Sequence, residues 1–405
     1  MLNRILIEGL FGQYDYDLPL VRGRRKDICF LTGPNGYGKS TILQLIFAFL
    51  KSDVRTLASI IYGKITFTMK KYKVEVLQEH LVTMGDDEDD SSGNDDDQNE
   101  TVRLTITVFS ANGERMIEQS RFTNDEIEVA DVSLYPPTLS VYLSSIKVEY
   151  VKDDRLWRKN DDIPGVTYCV EFLQQLMSRI DNQLTALYNA QVVRLMQDLV
   201  PERNAGDDDE TQTLVKTAEE KMAAYNRLGM ATTLRRVVDL AAENPDNRQL
   251  YLLHLRTVND VLKTDNPLYK RLNLLYDIIV RSEFSNKRLV LDTEHGLYFV
   301  SGDTIIIPEN LSSGEQHFII QLIMLVFMAD EGALILIDEP ELSYHPAWQM
   351  DYLKNLRSIA ELGSYQFILA THSAQIFDYR WSYTIDLYKQ TTDDAEGIEE
   401  NNRPD

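Results

Sequence analysis

The stretch Gly33-Pro34-Asn35-Gly36-Tyr37-Gly38-Lys39-Ser40-Thr41 constrains this chain more than any other, because it stands between two apolar runs. Ile28-Cys29-Phe30-Leu31 precedes it and Ile42-Leu43-Gln44-Leu45-Ile46-Phe47 follows. The order predicts a buried strand, a glycine-rich turn and a helix. Glycines at 33, 36 and 38 let backbone amides turn inward toward a polyphosphate, and the helix N-terminus adds partial positive charge. In such a loop Lys39 reaches the β/γ oxygens and the Ser40 hydroxyl ligates Mg²⁺, while Asn35, Gly36, Gly38 and Thr41 complete the nucleotide-binding set.

Three further segments occur in order toward the other end of the chain. Leu311-Ser312-Ser313-Gly314-Glu315-Gln316 opens an apolar helix; Ala333 to Pro346 reads ALILIDEPELSYHP; Phe367 to Ser373 reads FILATHS. Taken alone, the hexapeptide is an N-cap serine followed by a capping-box glutamate. The run Ala333 to Ile337 is an apolar strand ending in Asp338 and Glu339, two carboxylates at the C-terminal edge of a sheet beside the phosphate loop. Phosphoryl transfer depends chiefly on positioning and charge neutralisation, so Asp338 is expected in the Mg²⁺ shell and Glu339 as the base that orients and deprotonates water. His372 follows the apolar strand Gln366 to Ala370, at the sheet edge where a γ-phosphate would lie.

With these four pieces in this order, the chain resembles the ABC-type ATPases. Within them it resembles the soluble branch that includes the chromosome-maintenance, break-repair and OLD-like phage-defence enzymes. The resemblance implies an α/β ABC-type P-loop ATPase head, a mixed sheet core with an antiparallel β subdomain, here carrying a helical insertion. It implies that Ser312 and Gly314 contact the γ-phosphate of a nucleotide held by a facing subunit, so that hydrolysis needs at least two chains. It makes His372 the switch histidine and Glu341 to Pro346 the D-loop, in a Ser-x-His-Pro form like that of the defence branch. Ser313 departs from the glycine that many members have there. No glutamine stands at the expected Q-loop position; the segment from Tyr150 to Trp157 occupies it, with Asp153 or Asp154 as substitute metal ligands.

Charge then bears on partners. The 405 residues carry a formal net charge of −23, whereas a nucleic-acid clamp normally presents a basic surface. Much of the acidity is local, in residues 85–100, 204–210 and 391–405, which read as solubilising segments. The one basic cluster, 22–26, reads as a turn between strands. Two cysteines, Cys29 and Cys169, make no disulfide framework and read as packing residues, which suits a reducing cytoplasm. Neither a long apolar leader nor a run long enough to span a bilayer is found, so no membrane segment is expected.

Along the chain, residues 1–165 are expected to form an N-terminal lobe with the phosphate loop and a β-rich region that runs on through Leu139 to Val151. Residues 166–283 read as a helical insertion with Leu173, Leu176, Ile180, Leu184 and Leu187 on one stripe and breaks near Pro201, Pro245 and Pro267. It lacks a sustained heptad. Residues 284–390 read as a C-terminal lobe and 391–405 as an acidic tail.

OLD-like enzymes carry a nuclease domain after the switch histidine, and little chain follows His372 here. The expectation is an ATPase that works with a separate effector. In length, in its opening RILIEGLFGQYDYDLPL and in its D-loop, the chain resembles the ATPase subunits of PARIS-type anti-phage systems; the two-gene Septu and some retron systems share most of the motifs. That resemblance implies a ring-like homo-oligomer, ATP with Mg²⁺, a TOPRIM-type nuclease partner and a viral trigger protein. The alternatives are a DNA-repair or chromosome-associated clamp and, less well matched, a transporter's nucleotide-binding subunit.

Overall fold

The computed structural model describes residues 2–21, 27–82, 100–123, 126–127, 134–151, 165–198, 208–242, 248–263, 265–282, 284 and 286–392. The chain divides into two compact units, 1–155 with 329–405, and 156–328.

The first unit holds two sheets. Strands β1 (Leu2–Leu10), β2 (Tyr14–Pro19), β4 (Lys64–Met69), β5 (Tyr72–Val82), β6 (Glu100–Ser110) and β7 (Met116–Thr123) form an antiparallel sheet in the order β2-β1-β4-β5-β6-β7. The other is a five-stranded sheet in the order β14-β3-β13-β12-β8, and every pair in it is parallel. Its strands are β3 (Ile28–Thr32), β8 (Val148–Val151), β12 (Leu334–Asp338), β13 (Gln366–Ala370) and β14 (Thr384–Asp386). All five residues are buried in each of β3, β12 and β13, as befits strands covered on both faces.

Between the sheets runs α1 (Lys39–Lys51). Its apolar positions Ile42, Leu43, Leu45, Ile46, Ala48, Phe49 and Leu50 are buried around nearly its whole circumference, the pattern of a helix packed on two sides. Phe49 stacks on Phe67 of β4 at 3.8 Å, and Phe47 meets Tyr150 of β8 at 5.5 Å, so one helix is fastened to both layers. Parallel strands carry their loops at the C-terminal edge, and α1 leaves β3 at that edge.

One sequence expectation is corrected here. Leu139 to Val151 is not part of the antiparallel sheet. Pro137 starts a helix (Pro137–Ser144) that buries Leu139 and Leu143, four positions apart, and the chain then enters the parallel sheet as β8 beside β12. Proline favours the first helical turn, and a two-residue stripe is too short to distinguish from a strand in sequence.

Among its described residues the second unit contains the helices Gly165–Asp198, Asp208–Arg227, Thr232–Ala242, Arg248–Val261, Pro267–Arg281 and Ser313–Ile323, with the antiparallel strands β9 (Arg288–Asp292), β10 (Gly296–Ser301) and β11 (Thr304–Ile306). The stripe on its first helix runs through Leu173, Met177, Ile180, Leu184 and Tyr188, all buried, while Leu187 faces solvent at 58% exposure. Of the three expected breaks, Pro267 is the first residue of a helix; Pro201 and Pro245 lie outside the described residues, as do the basic cluster 22–26 and most of the acidic segments. The signature segment and its three preceding strands fall in this unit, whereas the sequence grouped them with 284–390. Gly296 of β10 lies so close to the first helix that an added Cβ would stand 2.9 Å from the carbonyl of Val170. The α/β class expected of a P-loop ATPase head is the one adopted, with a parallel core, an antiparallel β subdomain and a helical segment.

Candidate nucleotide site

The phosphate loop follows β3 as expected. Gly38 caps α1 with φ 78°, a left-handed backbone that favours glycine, and a Cβ there would lie 2.8 Å from the end of the Leu10 side chain. No side chain caps α1, which leaves its first amides for a ligand. Asn35 and Gly36 are exposed, Ser40 is exposed and Thr41 half-buried, so the loop opens to solvent. Lys39 is 5% exposed and folds back over the loop, its Nζ donating to the Gly33 carbonyl at 3.0 Å and the Pro34 carbonyl at 3.1 Å. Burial lowers its pKa, against the opposing pull of Glu339, Asp338 and Glu341.

Three distant segments meet the loop. The Ser40 hydroxyl donates to Asp338 Oδ1 at 3.0 Å, and Tyr150 on β8 donates to Asp338 Oδ2 at 3.4 Å. Asp338 ends β12 and is buried. Glu339 follows at φ 42°, in the left-handed region that a non-glycine residue occupies at a cost of about 1–3 kcal/mol. Its amide donates to the Ala370 carbonyl at 2.9 Å, which ties the turn to β13. His372, beyond the end of β13, stands with Nδ1 3.5 Å from Lys39 Nζ and Nε2 3.6 Å from Glu339 Oε1. Lysine, histidine and glutamate thus form a line across the sheet edge.

Two residues join this cluster that the sequence did not single out. Tyr150 opens the segment at the Q-loop position, but Asp153 and Asp154, the substitute metal ligands expected there, lie outside the described residues. Glu341, in the turn Pro340–Ser343, accepts at Oε1 from the His372 amide at 2.6 Å and the Ser373 amide at 3.2 Å. No motif signals a contact between backbone amides and a side chain thirty residues away.

The signature residues are described within their own unit. Ser312 is the N-cap of the helix Ser313–Ile323, with a full capping box: its hydroxyl accepts from the Glu315 amide, and Glu315 Oε2 accepts from the Ser312 amide at 2.9 Å. Lys287 Nζ donates to Glu315 Oε1 at 2.5 Å. Burial raises the Glu315 pKa, and the bonds from Lys287 and Ser312 outweigh it, leaving the carboxyl below its ordinary value. Ser312 stays exposed and Gly314 half-exposed.

Residues 28–378 match the sequence family described as "AAA domain, putative AbiEii toxin, Type IV TA system". The chain belongs to this family. Membership of this AAA ATPase family implies ATP, usually with Mg²⁺, as the ligand. The donor set fits that ion: a hydroxyl and a carboxylate 3.0 Å apart are hard oxygen donors, suited to a cation that keeps much of its water. Among the described residues, no group of three or more His, Cys, Asp or Glu side chains makes an all-protein metal cage. No curated protein matches the chain. Among solved structures, the Smc head domain from Pyrococcus furiosus, bound to the C-terminal domain of ScpA, is similar with 15% identity over 93% of this chain and 90% of that one, at a TM-score of 0.35. The SMC head domain from Thermotoga maritima is similar with 11% identity over 95% and 92%, also at 0.35. No helix among the described residues is long and apolar enough to cross a membrane.

Proposed function

We propose that this protein is an ATPase that binds Mg·ATP on the Gly33–Thr41 loop, hydrolyses it against the Asp338–Glu339 edge, and uses the cycle to control a separate effector nuclease in anti-phage defence. The observation that carries the chemical part is the meeting of Lys39, Ser40, Asp338, Glu339 and His372 at one sheet edge from three distant segments.

When bound, the Mg²⁺ ion neutralises charge on the phosphates. Ser40 and Asp338 would hold it, with the Tyr150 hydroxyl donating to the second oxygen of Asp338. Lys39 exchanges the carbonyls of Gly33 and Pro34 for phosphate oxygens, so that its ammonium faces anionic rather than neutral acceptors. Asn35, Gly36, Gly38 and Thr41 offer backbone amides. Glu339 takes the proton of the attacking water at its carboxylate, and its left-handed backbone aims that carboxylate across the edge. His372 bridges Glu339 and Lys39, at the edge where charge develops on the transferred γ-phosphoryl group as ADP departs. Ser312, exposed, and Gly314, half-exposed, at the start of the signature helix contact the γ-phosphate held by a second chain. The D-loop turn fits an interface, for Leu342 and Met350 are each 61% exposed.

The family description, which names a putative AbiEii toxin and a Type IV TA system, supports a role in a system of that kind. Resemblance to PARIS-type subunits narrows the partner to a TOPRIM-type nuclease and the input to a viral protein, with the ATPase as a homo-oligomeric scaffold in the cytoplasm. Affinity purification from the host with neighbouring genes intact tests this. A stoichiometric nuclease in a symmetric oligomer is the expected result. A dimer that retains DNA instead would move the assignment to a repair or chromosome-associated clamp, against which the charge of −23 argues.

A further inference from the structure

We propose that Glu341 is a positioning residue for this site: its carboxylate fixes the loop that carries His372 and so sets where the imidazole stands against Glu339. The inference rests on the reading of the site as an ATP-hydrolysing one. Two consecutive backbone amides, those of His372 and Ser373, converge on the single oxygen Oε1 at 2.6 and 3.2 Å. Successive amides aimed at one point form a concavity that favours an anion, and here the anion is supplied by the protein. The other oxygen, Oε2, is buried with no hydrogen-bond partner among the described residues. Leaving a carboxylate oxygen unsatisfied is costly, and the two amide bonds to the other oxygen offset that cost.

The geometry has a second fastening. Gln349 Nε2 donates to the carbonyls of Glu341 at 3.4 Å and Tyr344 at 3.2 Å, and Gln349 Oε1 accepts from the Ser373 hydroxyl at 2.8 Å. The turn that holds Glu339 in its left-handed conformation therefore also holds the histidine loop. Base and histidine are referenced to one short segment, and displacement of that segment, which also carries exposed Leu342, moves both together. This links the surface proposed to meet a second chain to the spacing of the catalytic groups.

The test uses the full chain, with Glu341→Ala, Glu341→Asp and Glu341→Gln variants. Two quantities are read: hydrogen exchange at the His372 and Ser373 amides, and steady-state ATP turnover. In Glu341→Ala, exchange at these amides is expected to rise at least tenfold and kcat to fall at least tenfold, with KM within about threefold of the unmodified chain. Gln retains an oxygen that accepts from both amides, so it restores exchange and most of kcat. Asp, one methylene short, behaves like Ala and serves should the Ala chain not fold. Unchanged exchange in the Ala and Asp variants overturns the proposal. So does equal loss of kcat in Gln and Ala, or a change confined to KM. Absence of turnover in the unmodified chain would fall on the hydrolase reading instead, and the exchange comparison would still decide whether Glu341 holds the loop.

Discussion

At the residue scale, Lys39 makes a prediction whose two signs differ. Burial lowers its pKa, so the folded chain releases this proton at lower pH than the unfolded chain does. As pH rises through that lowered value, the cost of burying the charge disappears, and the Lys39 contribution to stability becomes more favourable. ATP affinity moves the other way, since a neutral amine no longer pairs with phosphate. Titrating ATP binding across the alkaline range should show affinity falling below the pH at which an ordinary lysine titrates, with a flat response in Lys39→Ala. That variant should bind roughly 10- to 100-fold more weakly at neutral pH, the range for a lost charge-assisted bond. Gly38→Ala meets a left-handed φ and the Leu10 side chain together, and should cost about 1–3 kcal/mol in denaturant unfolding.

These residues were legible in sequence because each belongs to a motif with a mechanism. Tyr150 and Glu341 were not, since their contacts depend on which strand neighbours β12 and on where the β13 loop turns back. Such information is distributed over the fold rather than held in a local pattern.

At the scale of elements, α1 carries the site. Its two-sided burial makes Phe49 a strong test: truncation to Ala removes the stack on Phe67 and leaves a cavity between the sheets, for a loss of about 3–5 kcal/mol. The signature helix offers a milder one. Glu315→Ala removes the capping box and the Lys287 pair, for about 1–2 kcal/mol in thermal or denaturant unfolding. The Glu315 pKa is lowered on folding, so its contribution is present above the ordinary glutamate value and is lost as pH falls through the lowered one. The pH dependence of unfolding should therefore flatten in the variant on the acid side. Sequence periodicity gave the strands and the helical segment but misread Leu139 to Val151. There a proline start and two leucines four apart weigh less, by pattern alone, than the β-branched residues around them. The long helix showed the same limit in small: the stripe passes through Met177 and Tyr188 rather than Leu187, a choice made by packing partners.

At the scale of the whole molecule, chain order concealed the grouping. Residues 284–328 pack with the helices, although the motif order attaches them to the catalytic strands that follow. The phosphate loop and the signature accordingly belong to different compact units. Replacing Leu342 and Met350 by Asp should weaken ATP-dependent self-association, measured by native mass with and without ATP, while leaving nucleotide binding by the single chain in place.

The central claim is that ATP is hydrolysed at the edge formed by Lys39, Asp338, Glu339 and His372. Turnover and bound nucleotide measured on the same samples of the unmodified chain and Glu339→Gln test it most directly. Steady release of phosphate by the first, and ATP retained without turnover by the second, are the expected results. Glu339→Gln hydrolysing ATP at the unmodified rate would contradict the assignment of the base, and with it this account of the site.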